Sequence, residues 1–171
     1  PPSYHTGDNM DLRPQQSKHI VTGKDGTRIY TVNPKVWEAH IKSIHSKHNI
    51  PEWYMQPSFK WLYEHTKIGY FPKGLAIEKA KEIYVIEGGE TDYTLLAHEY
   101  GHILGYGHTN NMVPNLMNPI DSMRVTDGDK ISDRFEENFR EYYEKVLVPH
   151  ERNRALPAVI ALGMIAYGMI G

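Results

Sequence analysis

The sequence contains no cysteine among its 171 residues, which excludes any disulfide bond. It also lacks an excess of charge of either sign, because the formal net charge is only −2 and lysine and arginine form no strong cluster. A nucleic-acid partner is therefore not expected. The absence of cysteine fits a reducing compartment without deciding the location. Residues 1–8 show neither the basic start nor the apolar run of a signal peptide.

The most informative feature that is present is the pattern H-E-x-x-H-x-x-G-x-x-H at residues 98–108. His98 and His102 lie four residues apart, so a helix would place both on one face, where they can reach a single ion at roughly 2.0–2.1 Å. Gly105 can take the left-handed conformation that ends a helix, and the chain can then return His108 as a third ligand. Three protein ligands leave a fourth position open, as in a catalytic zinc site.

Glu99 follows the first histidine and would project beside the metal, where a carboxylate can take a proton from water. The alternative is a helix with three unrelated histidines. Histidine makes up 10 of the 171 residues, and chance alone gives the full spacing on the order of once in 5,000 such sequences. The spacing therefore favours a metal site.

A methionine turn follows the histidines. Met117 comes nine residues after His108, within Asn-Leu-Met-Asn-Pro at 115–119. Together with the three-histidine motif, this turn resembles the metzincin clan of zinc endopeptidases, in which a methionine lies beneath the metal. Thr109 directly after His108 and the Leu-Met-x-Pro turn are most similar to the matrixins. The specific motifs cover residues 98–119, and a looser similarity extends over about 18–147.

The resemblance implies an α+β, metzincin-like fold. This fold has a small, mostly β-sheet upper part, a backing helix, an active-site helix, the methionine turn and a C-terminal helix. It further implies one catalytic Zn2+, a peptide or protein substrate, and hydrolysis of the peptide bond with Glu99 as the general base. The substrate would lie extended along an edge strand, and a pocket would receive the side chain after the cleaved bond. The residues that the resemblance assigns to these two roles are Ile68, Gly69 and Tyr70 for the strand and Asn118, Pro119 and Ile120 for the pocket.

Several features of the matrixins are missing. Without cysteine there is no cysteine switch, and no upstream histidine and aspartate cluster matches the structural-metal loop. Residues 127–129 read Asp-Gly-Asp, but they lack the glutamate and the series of oxygen ligands of a calcium loop, so a solvated turn is the better interpretation. His45 and His48 could share a second metal, although surface histidines near a helix end explain them more simply.

Hydrophobic periodicity and turn residues predict the remaining elements. Asp25-Gly26 favours a two-residue turn within a hairpin over 18–32. Asn33-Pro34 opens a helix. Its buried stripe is predicted to comprise Val36, Trp37, His40, Ile41 and Ile44. The other predictions are strands at 59–63 and 81–87, an active-site helix at about 92–104 capped by Thr91 or Asp92, and a helix at 132–148 ended by Pro149.

The chain divides into a polar N-terminal arm (1–17), a catalytic domain (18–148) and a hydrophobic tail (149–171). The arm is either a disordered tail or a segment that covers the cleft or docks on a partner. Residues 155–171 carry no charge, and this segment could enter a membrane, pack in a larger protein assembly or pack within the chain. These options leave two alternative functions: a structural or assembly protein that retains a metzincin fold and uses the tail as an anchor, and a membrane-disrupting protein whose tail is the effector. The intact Glu99 favours an enzyme.

Overall fold

The computed structural model describes residues 12–48, 72–109, 115–117 and 129–155. These residues form a mixed α+β structure, in which a four-stranded sheet is accompanied by several helices. The elements in chain order are β1 (Lys18–Thr22), β2 (Arg28–Val32), α1 (Pro34–His48), β3 (Gly74–Ile77), β4 (Glu82–Ile86), α2 (Tyr93–Ile103), α3 (Lys130–Asn138) and α4 (Arg140–Tyr142).

The sheet has the strand order β1-β2-β4-β3. Strands β2 and β4 are parallel, with Ile29 opposite Ile83, whereas the two outer pairs are antiparallel. Strand β3 lies at one edge of the described sheet, where Gly74 pairs with Val85. The strand predicted over 81–87 is confirmed as β4, and the strand predicted at 59–63 lies outside the described residues.

The predicted hairpin is confirmed, but its turn is wider than two residues. A two-residue type I′ turn needs positive φ at both central positions. In the loop between β1 and β2 only Gly26 has a positive φ, of 87°. The loop instead closes where the Gly23 amide donates to the Thr27 carbonyl at 2.7 Å. The glycine supplies the left-handed residue that this longer loop requires.

Helix α1 covers one face of the sheet. Asn33 caps its start, since Asn33 Oδ1 accepts a hydrogen bond from the Lys35 amide at 2.9 Å. The predicted stripe is confirmed: Trp37, Ile41 and Ile44 are buried, and Val36 and His40 are half-buried. These side chains form a core with sheet residues that point to the same side, namely Val32, Leu75, Ile77 and Tyr84.

The segment before β1 also packs on this side of the molecule. Leu12 is buried in the core beneath α1, and its carbonyl accepts a hydrogen bond from His40 Nε2 at 2.7 Å. Arg13 Nε donates to Oε1 of the buried Glu82 at 2.6 Å. Residues 12 and 13 are therefore held against α1 and β4, whereas residues 1–11 lie outside the described part of the chain.

Helix α2 packs on the opposite face of the sheet. Its buried side chains meet Ile29, Ala76, Ile83 and Val85, which alternate along their strands with the residues that face α1. Aromatic rings of the C-terminal helical region complete this core at Phe135 and Phe139. The site motif is thus carried by a helix that is enclosed between the sheet and the C-terminal helical region.

The C-terminal helical region is longer than the sequence predicts. Asp129 caps α3, because its Oδ1 accepts from the amides of Ile131 at 2.8 Å and Ser132 at 3.1 Å. After a break at Phe139 the chain continues as α4, a π-helical segment at Tyr143–Leu147, and helical residues 148–155. The prediction that Pro149 ends the helix is wrong. The π segment moves the preceding carbonyls out of the spacing with which a proline ring collides.

Residues 156–171, which include nearly all of the apolar tail, lie outside the described residues. Within the ranges that are described, no helix combines the length and the apolar character needed to cross a membrane. The three interpretations of the tail therefore stay predictions.

A polar cluster joins the hairpin loop to α2 and α3. Asp25 accepts hydrogen bonds from the Thr27 amide at 2.8 Å, the Tyr100 hydroxyl at 2.8 Å and Asn138 Nδ2 at 2.9 Å. Asn138 in turn accepts from the amides of Asp25 and Lys24. Partial burial alone would raise the pKa of Asp25, but the hydrogen bonds from Thr27, Tyr100 and Asn138 outweigh it and hold that pKa below its usual value.

We expect the substitution Asp25→Ala to lower the free energy of unfolding by about 1 kcal/mol at pH 7, a modest value because the carboxylate is partly exposed. Since the folded pKa lies below the unfolded one, the stabilisation is present above pH about 4 and is lost as the pH falls through the folded pKa. Urea unfolding of both proteins at pH 7 and pH 2 measures this. An equal difference at the two pH values would contradict a role for the ionised form.

Candidate metal centre

Helix α2 supplies two of the three histidines. It begins after Asp92, whose side chain accepts from the Leu95 amide at 3.2 Å, and it ends at Ile103. The helix predicted at about 92–104 is confirmed, with Asp92 rather than Thr91 as its cap. His98 and His102 lie one turn apart, and their ring centroids are separated by 4.9 Å.

The third histidine returns to the helix through a glycine turn. Gly105 has a φ of 95°, as predicted, and the Tyr106 amide donates to the Gly101 carbonyl at 2.9 Å, which closes the helix end. His108 Nε2 then lies 3.3 Å from His98 Nε2 and 3.0 Å from His102 Nε2. The three histidines are close enough together to hold a metal ion, and no other such group occurs within the described ranges.

Hydrogen bonds to the main chain fix the tautomer of two of these rings. His98 Nδ1 lies 2.6 Å from the Leu116 carbonyl oxygen, and His102 Nδ1 lies 2.8 Å from the Tyr106 carbonyl oxygen. A carbonyl oxygen only accepts, so both Nδ1 atoms are the donors. In the neutral rings the proton is then on Nδ1, and each Nε2 has a lone pair available for a metal.

The donor set fits a tetrahedral ion. At a metal–nitrogen distance of about 2.0–2.1 Å, two ligand nitrogens of a tetrahedral site are separated by about 3.3–3.4 Å. The two Nε2 separations of 3.3 Å and 3.0 Å are close to this value. A single proton on His108 Nε2 could satisfy only one of these two contacts, whereas a cation among the three nitrogens is attracted by every lone pair.

Glu99 lies beside the first ligand and is buried. Only 6% of its surface is exposed, and burial raises the pKa of its carboxyl to about 8. A carboxyl group in this position prefers to be protonated at neutral pH unless a positive charge is close to it. A dication held by the neighbouring histidines would provide that charge and favour the carboxylate.

The segment 115–117 packs beneath α2. The Thr109 amide donates to the Met117 carbonyl at 3.1 Å, and Asn115 Oδ1 accepts from the Thr109 hydroxyl at 2.8 Å and from the Met117 amide at 2.9 Å. Met117 is 5% exposed, and a Cβ added at Gly101 would overlap its sulfur atom. The methionine therefore lies directly against the helix turn between His98 and His102.

The structure brings the three predicted metal ligands together, buries Glu99 on the helix turn next to His98, and packs Met117 against the same helix. The predicted substrate residues Ile68, Gly69 and Tyr70, and the predicted pocket residues Asn118, Pro119 and Ile120, lie outside the described residues, as do Asp127 and Gly128 of the weak calcium pattern. Sequence reasoning missed the groups that orient His98 and His102. Both are main-chain carbonyls, which leave no signature in a residue pattern.

Known proteins give no further guidance on this chain. A scan against models of protein families, a search of curated proteins and a search of solved structures each found no match. The assignment of a function therefore depends on the geometry of the histidine site.

Proposed function

We propose that this protein is a zinc-dependent endopeptidase of the metzincin type. The observation that carries the proposal is the convergence of the three histidine Nε2 atoms, with the buried Glu99 next to His98 on the same helix. A structural zinc site is normally closed by four protein ligands, whereas three ligands next to a carboxylate are typical of hydrolytic sites. The methionine segment against α2 agrees with the same clan.

The chemistry of the donors favours zinc. Imidazole nitrogen suits zinc among the abundant transition metals, and the chain has no thiolate to offer. The main-chain carbonyls that bind the Nδ1 atoms of His98 and His102 keep Nε2 free of protons and hold the rings in position. His98, His102 and His108 would hold the ion.

Glu99 moves the proton in the proposed reaction. When bound, the zinc ion supplies Lewis-acid chemistry, because it lowers the pKa of a water molecule and polarises the scissile carbonyl. Glu99 accepts the proton of the attacking water on its carboxylate and passes it to the nitrogen of the leaving amine. Its burial excludes bulk water from the carboxylate, so the proton stays with the reacting groups.

The substrate is proposed to be an extended peptide along β3. Resemblance to the metzincins implies binding along an edge strand, and β3 is an edge of the described sheet that passes next to Glu99. Its outer main-chain groups would pair with a peptide in the manner of an added strand. A peptide bound along β3 would lie near the Glu99 carboxylate, because Gly74 at the start of β3 lies against that side chain.

We expect the purified protein to bind one zinc ion and to cleave members of a peptide library, and we expect a chelator to abolish the cleavage. The substitution His102→Ala should remove both the zinc and the activity, because two ligands bind the ion much less tightly than three. Metal analysis and peptide cleavage on the same sample measure both effects. The control is His19→Ala, which replaces an exposed histidine on β1.

Cleavage that persists in the presence of the chelator would contradict a metalloprotease. Zinc binding without cleavage of any peptide would instead favour the alternative of a structural protein that retains the metal site.

A further inference from the structure

Strand β3 passes directly against Glu99 at a glycine. Gly74 is buried, and its backbone φ is not in the left-handed region, so no conformational strain requires a glycine there. A Cβ added at this position would lie 2.7 Å from Glu99 Oε1, 2.8 Å from Glu99 Cγ and 2.9 Å from Glu99 Cδ. Carbon atoms of side chains do not approach this closely. The Glu99 side chain therefore occupies the space that a side chain at residue 74 would fill.

The surroundings leave Glu99 little room to move elsewhere. Ala76, the next residue on the same face of β3, is buried in the core that α2 forms with the sheet. Glu99 itself is 6% exposed, and both of its neighbours on the helix, His98 and Tyr100, are buried. A side chain at residue 74 would have to displace the carboxylate or push β3 away from α2.

We propose that Gly74 is a positioning residue for Glu99. The missing side chain in β3 creates the space that fixes where the carboxylate lies relative to the three histidines. The consequence for catalysis rests on the proposed function, whereas the packing of Glu99 against Gly74 does not. Gly74 itself contacts the carboxylate and takes no part in proton transfer.

The first test is kinetic. We expect Gly74→Ala to lower kcat by about 10–100-fold on a peptide that the wild-type protein cleaves, because a displacement of about 1 Å of a reacting group has an effect of this size. The KM value should change by less than about threefold, and the zinc content should remain one ion per chain. A merely structural defect would reduce zinc content or the folded fraction and leave the kcat of the zinc-loaded molecules unchanged.

The control is Gly89→Ala. Gly89 is also buried, and a Cβ there would lie 2.9 Å from Leu95 Cδ2 and 3.1 Å from Val85 Cβ, away from Glu99. This variant introduces comparable crowding into the same core, so it should lower the melting temperature without changing kcat by more than about twofold. An unchanged kcat in Gly74→Ala, or an equal loss in both variants, would overturn the proposal.

The second test needs no enzymatic activity. In the zinc-free protein, Gly74→Ala should lower the melting temperature by about 3–10 °C, because the added methyl group overpacks the contact with Glu99. In the Glu99→Ala background the same substitution should shift it by less than about 2 °C, since the space is then free. Equal shifts in the two backgrounds would overturn the proposal.

The two tests separate this proposal from the proposed function. The protein could cleave no peptide and still show a Gly74→Ala melting shift that depends on Glu99. That result would support the packing of Glu99 against Gly74, whereas the protease assignment would fail. If Gly74→Ala does not fold, a folded Gly74→Ala/Glu99→Ala double variant supports the proposal, and an unfolded double variant overturns it.

Discussion

The substitution Glu99→Ala is expected to reduce peptide hydrolysis by about 10²–10⁴-fold, which is the usual contribution of a general base. The zinc content should stay at one ion per chain, because the proposed ligands are the three converging histidines and Glu99 is not one of the ligands. The loss should appear mainly in kcat, since the carboxylate acts on the proton of the attacking water rather than on the binding of the peptide. Steady-state kinetics and metal analysis on the same preparation measure both quantities.

The substitution His102→Ala serves as the comparison, because it should lose zinc and activity together. Substantial zinc-dependent turnover in Glu99→Ala would refute Glu99 as the base. A Glu99→Ala protein that has lost its zinc would also contradict the assignment, since it would give the carboxylate a role in holding the metal.

A second large effect concerns the stability of the zinc-free protein. Burial raises the pKa of Glu99 from 4.5 in the unfolded chain to about 8 in the folded one. Between pH 4.5 and about pH 8, the folded state therefore keeps a proton on Glu99 that the unfolded state has released. For this reason the free energy of unfolding falls as the pH rises through this range. We expect Glu99→Gln, which cannot ionise, to be more stable than the wild type by about 3–5 kcal/mol at pH 8.5. At pH 4.5 the two should be nearly equal.

Urea unfolding of both zinc-free proteins across this pH range measures the effect. Zinc should remove the advantage of the glutamine, because a dication next to the carboxylate favours its ionised form. A difference between the two proteins that does not change with pH would show that Glu99 is not forced into the neutral form by burial.

The local parts of the site could be predicted from the sequence. Three of these parts lie within one helix and the turn that follows it: the spacing of His98 and His102, the cap at Asp92, and the glycine at 105. Because their partners are close in sequence, residue types alone determine them. The hairpin, α1 and β4 follow from alternating or helical hydrophobic patterns in the same way. Each of these elements appears within a few residues of its predicted bounds.

The long-range contacts could not be predicted. Asp25 and Asn138 are separated by 113 residues, and the close packing of Glu99 against Gly74 arises only when β3 is placed against α2. No pattern within one segment carries this information. The continuation of the helix beyond Pro149 depends on the π segment before it, which has no reliable sequence signature.

The way in which the histidines are oriented has a consequence for how this protein can change. In many zinc sites a carboxylate side chain holds each ligand, and its replacement weakens metal affinity by 10–100-fold. Here the main-chain carbonyl groups of Leu116 and Tyr106 accept the hydrogen bonds that orient His98 and His102. A substitution of a side chain cannot remove a peptide oxygen. Substitutions of the Tyr106 side chain would therefore keep the hydrogen bond that orients His102, and with it the geometry in which the three histidines would bind a metal ion. To alter the proposed metal affinity through these hydrogen bonds, an engineer would have to change the backbone of the loops that carry the two carbonyl groups.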